Sequence, residues 1–317
     1  MIAVTGAAGF VGGAFCRRAA ARGRPLRRFV HRASASDGAI AVDLALADVD
    51  DLARRLAGVT AVVHLAGRAH VMDQATARAD AAYRSANVDA TERLARAALR
   101  AGVAHFILAS TVKVNGEVTR RGIPFRPADA PAPQDAYARS KLAAERALAQ
   151  VAAGTSMTTT VLRLPLVYGP GARGNFRRLV DAVAMRRWLP FGAIDNRRSL
   201  CGLANLLDAI DVALDDARGI AGTHFVADAD SVSTPALVRA IAAALRVAPR
   251  LLPVPVTALR VAGALVGQRA AIDRLTQSLE VDTASFADAT GWRPRRFAID
   301  AAAVAAAEAV PAQGGGI

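Results

Sequence analysis

The chain has 317 residues, 53% of them apolar, which is enough for a large core in one domain, or in a large domain with a smaller one beside it, and excludes a disordered chain. Its formal charge is +13, carried almost wholly by arginine, since Lys113 and Lys141 are the two lysines; no basic run is interleaved with aromatics, which argues against a nucleic-acid partner, while a basic surface would concentrate an anionic small molecule. Two far-separated cysteines, Cys16 and Cys201, argue against a disulfide framework or a metal site and suit a reducing cytoplasm, and no stretch is long and apolar enough to span a membrane.

The opening residues carry no charged leader or cleavage site, so no signal peptide is expected. Short apolar runs at 2–5, 26–31, 39–42, 61–65, 106–109 and 159–164 are predicted strands. Apolar residues recur at helical spacing over 10–22, 49–56, 75–101 and 136–151, which are predicted helices. This alternation predicts an α/β fold, a Rossmann-type doubly wound parallel sheet over residues 1–164, with ligands at the carboxyl ends of the strands. After Leu164 the texture changes: Pro165, Gly169, Pro170, Gly171 and Gly174 mark a long loop. A smaller mixed α/β domain is expected over 165–317, with the stretches near 198–206 and 224–227 available to return to the main sheet. The Ala-rich and then Gly-rich residues 301–317 predict a last helix and a frayed end.

The turn after the first strand reads Thr5-Gly6-Ala7-Ala8-Gly9-Phe10-Val11-Gly12, with glycines spaced GxxGxxG. Gly6 permits a tight turn, Gly9 lets the backbone approach a pyrophosphate and Gly12 brings helix onto strand, while the helix start at Phe10 and Val11 offers N–H groups to phosphate. Its place between a strand and a helix makes this a dinucleotide site rather than a chance cluster of glycines. The second strand ends Phe29-Val30-His31-Arg32, without the carboxylate that would bond the ribose hydroxyls of NAD. Arg32, and less surely Arg28, suits the 2′-phosphate of NADP(H), so NADP(H) is favoured with NAD as the alternative; the bland reading makes both arginines solvated surface charges. Asp43, followed by Leu44, either accepts a bond from adenine or opens a loop. Leu65, Ala66 and Gly67 end the fourth strand beside the cofactor, and Asn87 on the long helix is a cofactor contact or a packing amide. Ser110 and Pro165 complete the expected cofactor set.

Tyr137-Ala138-Arg139-Ser140-Lys141 puts a phenol and an ammonium four residues apart, on one face of a predicted helix. A free phenol, with a pKa of about 10, is a poor base near neutrality, and a nearby ammonium stabilises its anion. Tyr137 then exchanges a proton with a sugar hydroxyl or ketone, and Lys141 also reaches a nicotinamide ribose. The preceding strand ends Ala109-Ser110-Thr111, where a hydroxyl can hold the reacting oxygen.

With these motifs in order, the sequence resembles the extended short-chain dehydrogenase/reductase family, in its nucleotide-sugar epimerase/dehydratase group, over nearly the whole chain. The resemblance is carried by TGxxGxxG, YxxxK, His64-Leu65-Ala66, Asn87-Val88-Asp89-Ala90-Thr91, the run from Arg163 through Tyr168 to Gly171, and Gly291-Trp292-Arg293-Pro294. It implies a small C-terminal substrate domain, a nucleotide diphosphate sugar (UDP- or dTDP-linked) as substrate and Thr111 as the catalytic hydroxyl beside Tyr137 and Lys141. It also implies Asn175 and Arg198 as contacts of the substrate's phosphates; Arg274 is a further contact or a surface charge. Family 4,6-dehydratases place Asp-Glu after the catalytic Thr, whereas Val112-Lys113 stands here, which disfavours dehydration. The expected activity is reduction of a 4-keto-6-deoxy hexose, with or without an N-acetyl group, for surface-polysaccharide precursors. The alternative is a UDP-hexose 4-epimerase holding NAD tightly. A non-catalytic NAD(P)-binding regulatory protein is a minor alternative, disfavoured because Thr111, Tyr137 and Lys141 are all present. The Ala-rich helices 75–101 and 136–151 suit the four-helix interface of a homodimer.

Overall fold

The computed structural model describes residues 1–32, 38–69, 77–215, 220–265 and 267–305. In chain order, β1 (Ile2–Thr5) leads into α1 (Phe10–Ala21), then β2 (Leu26–Val30), β3 (Ile40–Ala41), α2 (Val49–Arg55) and β4 (Ala61–His64). Next come α3 (Ala77–Tyr83), a π-helical stretch (Arg84–Asp89), α4 (Ala90–Arg100), β5 (His105–Thr111), α5 (Ala136–Ala152) and β6 (Thr158–Leu164). The remainder holds β7 (Leu166–Tyr168), α6 (Asn175–Ala184), β8 (Leu200–Gly202), α7 (Leu203–Asp215), β9 (Gly222–Phe225) and α8 (Thr234–Ala244), and then α9 (Val256–Leu265), α10 (Arg269–Thr276), α11 (Ala284–Thr290) and α12 (Ala301–Val304).

Among the described residues, seven parallel strands form the main sheet in the order β3-β2-β1-β4-β5-β6-β9. Strands covered on both faces have no polar side to show, so β4 and β5 read as continuous apolar runs. Side chains still alternate. Val62, Phe106 and Leu108 enter one core cluster with Leu52, Leu94 and Leu148, while Val63 and Ile107 enter the opposite one with Phe15, Leu206 and Ile210. Each of these fully buried side chains contributes about 2 kcal/mol. A third cluster joins Tyr168, Phe176, Val180, Val238 and Ile241, and covers the small β7-β8 sheet.

The predicted strands at 2–5, 26–31, 61–65 and 159–164 sit within a residue of β1, β2, β4 and β6. That at 39–42 shrinks to two residues, and that at 106–109 extends to seven, taking Ser110 and Thr111 into the strand. The stretch near 198–206 supplies β8, which pairs with β7 and not with the main sheet, whereas β9 lies beside β6. The helix predicted over 75–101 is interrupted. Residues 75 and 76 lie outside the described ones, and the π-helical stretch separates α3 from α4. Its wider turn brings Asn87 and Thr91 together towards β4 and the loop after it, a use typical of π segments near functional sites. Residues 306–317, where a frayed end was expected, also lie outside the described part.

Candidate active site

Strand order reverses between β1 and β4, and the loops leaving these two neighbours meet at the carboxyl edge of the sheet. Gly6 has φ +67°, and a Cβ there would stand 2.8 Å from the Ala66 nitrogen. Gly12 is packed tighter still: its Cβ would fall 2.1 Å from the Gly6 carbonyl oxygen. Gly9 donates to that same oxygen at 2.8 Å and caps α1 without a side-chain acceptor, so the first-turn N–H groups around Phe10 and Val11 are available to an anion. A Cβ on Gly171 would stand 3.7 Å from the Phe10 ring, which lays the loop after β7 against this helix start; Asn175 opens α6 four residues later and is exposed. These close approaches, with free donors at a helix start, fit a dinucleotide pyrophosphate.

A buried relay of hydroxyls and one imidazole fixes the loop after β4. The Ala66 N–H donates to Thr5 Oγ1 at 3.2 Å, Thr5 Oγ1 lies 2.6 Å from His64 Nδ1, His64 Nε2 lies 3.0 Å from Thr91 Oγ1, and Thr91 donates to the Asn87 carbonyl at 2.6 Å. Since Thr91 spends its proton on that carbonyl, Nε2 carries the imidazole proton and Nδ1 accepts from Thr5. Burial, with the Lys141 charge adding to it, pushes His64 down to about 3, so the ring stays neutral and serves as a strut. Asn87 accepts from the Arg68 N–H at 2.8 Å and donates to the Arg68 carbonyl at 3.1 Å and to Ser140 Oγ at 2.8 Å. Its amide thus ties the loop around Gly67 to α5.

Asp135 caps α5, its carboxylate accepting from the Ala138 N–H at 2.7 Å. Tyr137, Lys141 and Glu145 follow at four-residue spacing along one stripe of the helix. The Thr111 hydroxyl lies close enough to that of Tyr137 to favour its anion, and the Tyr137 ring lies 6.0 Å from that of Tyr83. Burial pushes Tyr137 up to about 12, with the Asp135 charge adding to it and Thr111 opposing. Lys141 is 4% exposed and burial pulls it down to about 8 against the attraction of Glu145; a Cβ on Gly67 would stand 3.7 Å from its Nζ. Glu145 takes a hydrogen bond from Ser110 and a bidentate ion pair from Arg163, whose Nη2 lies 2.6 Å away; Arg163 Nη1 reaches Asn115 Oδ1 at 2.8 Å. The Ser110 hydroxyl is therefore occupied by Glu145.

Among the other expected residues, His31 and Arg32 are exposed at the end of β2. Asp43 accepts from the Ala45 N–H at 3.0 Å and opens a turn, Leu44 is buried in the core, and Pro165 is buried between β6 and β7. Arg198 donates to the carbonyls of Arg274 and Gln277 at 2.8 and 3.1 Å. Burial pushes its guanidinium below the usual range, Glu117 opposes and the Arg274 charge adds. Sequence reasoning missed Glu145, Arg163 and Asp135. The stripe 137-141-145 was visible in the four-residue spacing; the pairing of Glu145 with Arg163 across 18 residues had no local signal.

Residues 2–227 match the family described as the NAD dependent epimerase/dehydratase family. A protein of Vibrio cholerae named UDP-glucose 4-epimerase is 41% identical over 240 residues, covering 75% of this chain and 73% of its own. The chain belongs to the NAD dependent epimerase/dehydratase family. Among solved structures, the chain is similar to MoeE5 in complex with UDP-glucose and NAD, and with UDP-glucuronic acid and NAD; in both it superposes at a TM-score of 0.73, is 25% identical, and covers 93% of either chain. The chain is thus an extended short-chain dehydrogenase/reductase, an enzyme using an NAD(P)-type cofactor. Among its described residues no helix is long and apolar enough to cross a membrane.

Proposed function

We propose that the chain is a cytoplasmic 4-epimerase of a UDP-linked hexose that feeds surface-polysaccharide precursors, and this replaces the 4-keto reductase as the first reading. The observations that carry it are the neighbourhood of the Thr111 and Tyr137 hydroxyls and the approach of Lys141 to the Gly67 loop, which itself packs on the Gly6 turn; kinship with a protein named UDP-glucose 4-epimerase supports the choice of reaction. Bound NAD(P) supplies the acceptor and donor of the C4 hydride and, when oxidised, a positive ring that favours the phenolate. The chain's own residues do the rest. The turn from Gly6 to Gly9 and the N–H groups at the start of α1 receive the pyrophosphate, Gly12 packs that helix onto the strand, Lys141 reaches the nicotinamide ribose, and Thr111 holds the sugar's O4 against Tyr137. Tyr137 takes the O4 proton as the carbonyl forms and returns it when the hydride comes back to the other face, assisted by the Lys141 ammonium. Asn175, Arg198 and Arg274 hold the substrate's phosphates, in a substrate-binding region drawn mainly from residue 165 onward.

One observation favours the reductase and NADPH. His31 and Arg32 stand exposed after β2 with no carboxylate at the strand end. Cofactor stoichiometry decides between the readings. Interconversion of UDP-glucose and UDP-galactose with no net consumption of nucleotide is expected; stoichiometric oxidation of NADPH by a 4-keto sugar, with no such interconversion, overturns the epimerase.

A further inference from the structure

Five of the ten exposed large apolar side chains among the described residues fall in two stretches: Met185 and Trp188, at 67% and 61%, and then Leu252, Val261 and Leu265, the last at 82%. Backbone hydrogen bonds bring the two stretches together. Leu189 donates to the Arg250 carbonyl at 2.8 Å and accepts from the Leu252 N–H at 2.9 Å, and the Arg250 guanidinium lies over the Trp188 ring, 5.3 Å from its centroid. Four residues past Leu252 the chain enters α9, whose first residue is therefore at most about 14 Å away. On one side α9 buries Leu259 and Gly263, where a Cβ on Gly263 would stand 2.6 Å from Ile272 of α10. Val261, Ala264 and Leu265 are turned away from that side and are exposed.

The charge around this apolar surface has one sign. Between Asp181 and Asp195 the chain holds Arg186 and Arg187 and no acid, and between Asp230 and Asp273 it holds five arginines and no acid. The bounding carboxylates are already taken: Asp181 by Arg177 at 2.7 Å, Asp195 by Arg121, Asp230 by Arg296 at 3.4 Å, and Asp273 by Arg260 at 3.4 Å with Arg269 at 3.9 Å. Arg186, Arg187, Arg246 and Arg250 have no ion pair among the described residues. Arg186 and Arg246 hold matching places, just past α6 and α8, with φ of +53° and +57°, where glycine is the usual residue.

We propose that this surface seats the chain on an anionic lipid bilayer: Met185, Trp188, Leu252 and the outer side of α9 enter the headgroup layer, and the four arginines meet lipid phosphates. A tryptophan backed by a guanidinium suits a layer that is apolar on one side and wet on the other. An apolar face rimmed by cations alone matches a phosphate-rich surface, and lying in the headgroup layer needs no membrane-spanning helix.

Sedimentation of the full chain with vesicles of phosphatidylcholine, alone or in equal parts with phosphatidylglycerol, tests this. Binding is expected to the mixed vesicles only, weakening as salt rises. Trp188 reports insertion, because the other tryptophan, Trp292, is buried in the core; emission is expected to move to shorter wavelength when mixed vesicles are added. Each arginine near such a surface strengthens binding about fivefold, so Arg186→Gly combined with Arg246→Gly is expected to weaken it about 25-fold. Glycine suits both left-handed positions, so the thermal melt of that double variant is expected to match or exceed that of the unmodified protein. Val261→Gln combined with Leu265→Gln is expected to weaken binding about tenfold or more. Equal sedimentation with both kinds of vesicle, unmoved emission, or either double variant binding as well as the unmodified chain overturns the proposal. A chain that stays off vesicles and loses an oligomer on Trp188→Ala would assign the face to a second copy and overturn it too.

Discussion

Lys141 carries its ammonium almost wholly out of water, and burial pulls it from 10.5 down to about 8. Because the folded value lies below the unfolded one, the unfolded chain binds the proton more readily between pH 10.5 and 8, and stability falls through that window as the pH falls. At neutral pH the protein bears the whole penalty, about 3 kcal/mol at 1.4 kcal/mol per unit before relaxation reduces it. Lys141→Met is therefore expected to raise stability in urea at pH 7 by about 2 kcal/mol, to have little effect at pH 11, and to abolish turnover. A destabilised variant at pH 7 would mean that the ammonium is held by more than Glu145. Tyr137 and Lys141 were legible in the sequence because their spacing is local and each belongs to a scarce residue type. Asn87 was legible as a candidate, but its partners Arg68 and Ser140 were not, since they lie 19 and 53 residues away and only folding brings them to it.

Legibility at the scale of elements follows burial. The strands β1, β4 and β6 are covered on both faces, so their apolar runs stand out, whereas β8 is three residues long and took its pairing with β7 from a loop rich in glycine and proline. The π-helical stretch was hidden because its residues fit an ordinary amphipathic helix; what selects the wider turn is a tertiary demand, the joint delivery of Asn87 and Thr91 to the β4 side. That demand is met through His64, which links β1 to α4. Its folded value of about 3 lies below the ordinary 6.5, so the unfolded chain takes up a proton as the pH drops below 6.5 while the folded ring stays neutral. Stability is expected to decline over that window with a slope approaching about 1.4 kcal/mol per pH unit from this residue alone. Urea denaturation of the unmodified protein and of His64→Gln between pH 7 and pH 4 measures it: the variant starts lower by about 1–2 kcal/mol for the lost hydrogen bonds and shows a flatter acid limb. Parallel curves for the two proteins would show that His64 already takes up its proton in the fold.

For the whole molecule, the two helices that carry Thr91 and Tyr137 also present an outer face. Inward, α4 buries Leu94, Ala95 and Ala98 and α5 buries Ala144 and Leu148, which fixes their pairing against the sheet. Outward, a groove between them is lined by Leu99, Ala147, Gln150 and Val151, with Glu92 and Arg96 paired at 2.8 Å along its rim. Small apolar residues between two helices, bordered by a self-contained ion pair, suit the same groove on a second copy, because a two-fold axis sets each residue's patch against itself. We propose a homodimer through this four-helix face, which would brace α5 and hold Tyr137 in register with Thr111. Light scattering is expected to give a mass twice the 32.8 kDa of the chain, and Val151→Glu, which sets like charges across the axis, to shift the population to single chains with lowered kcat. A unit mass for the unmodified protein at micromolar concentration would mean that the Asp135 cap, the Glu145–Arg163 pair and the buried Ala144 and Leu148 hold α5 without a second copy.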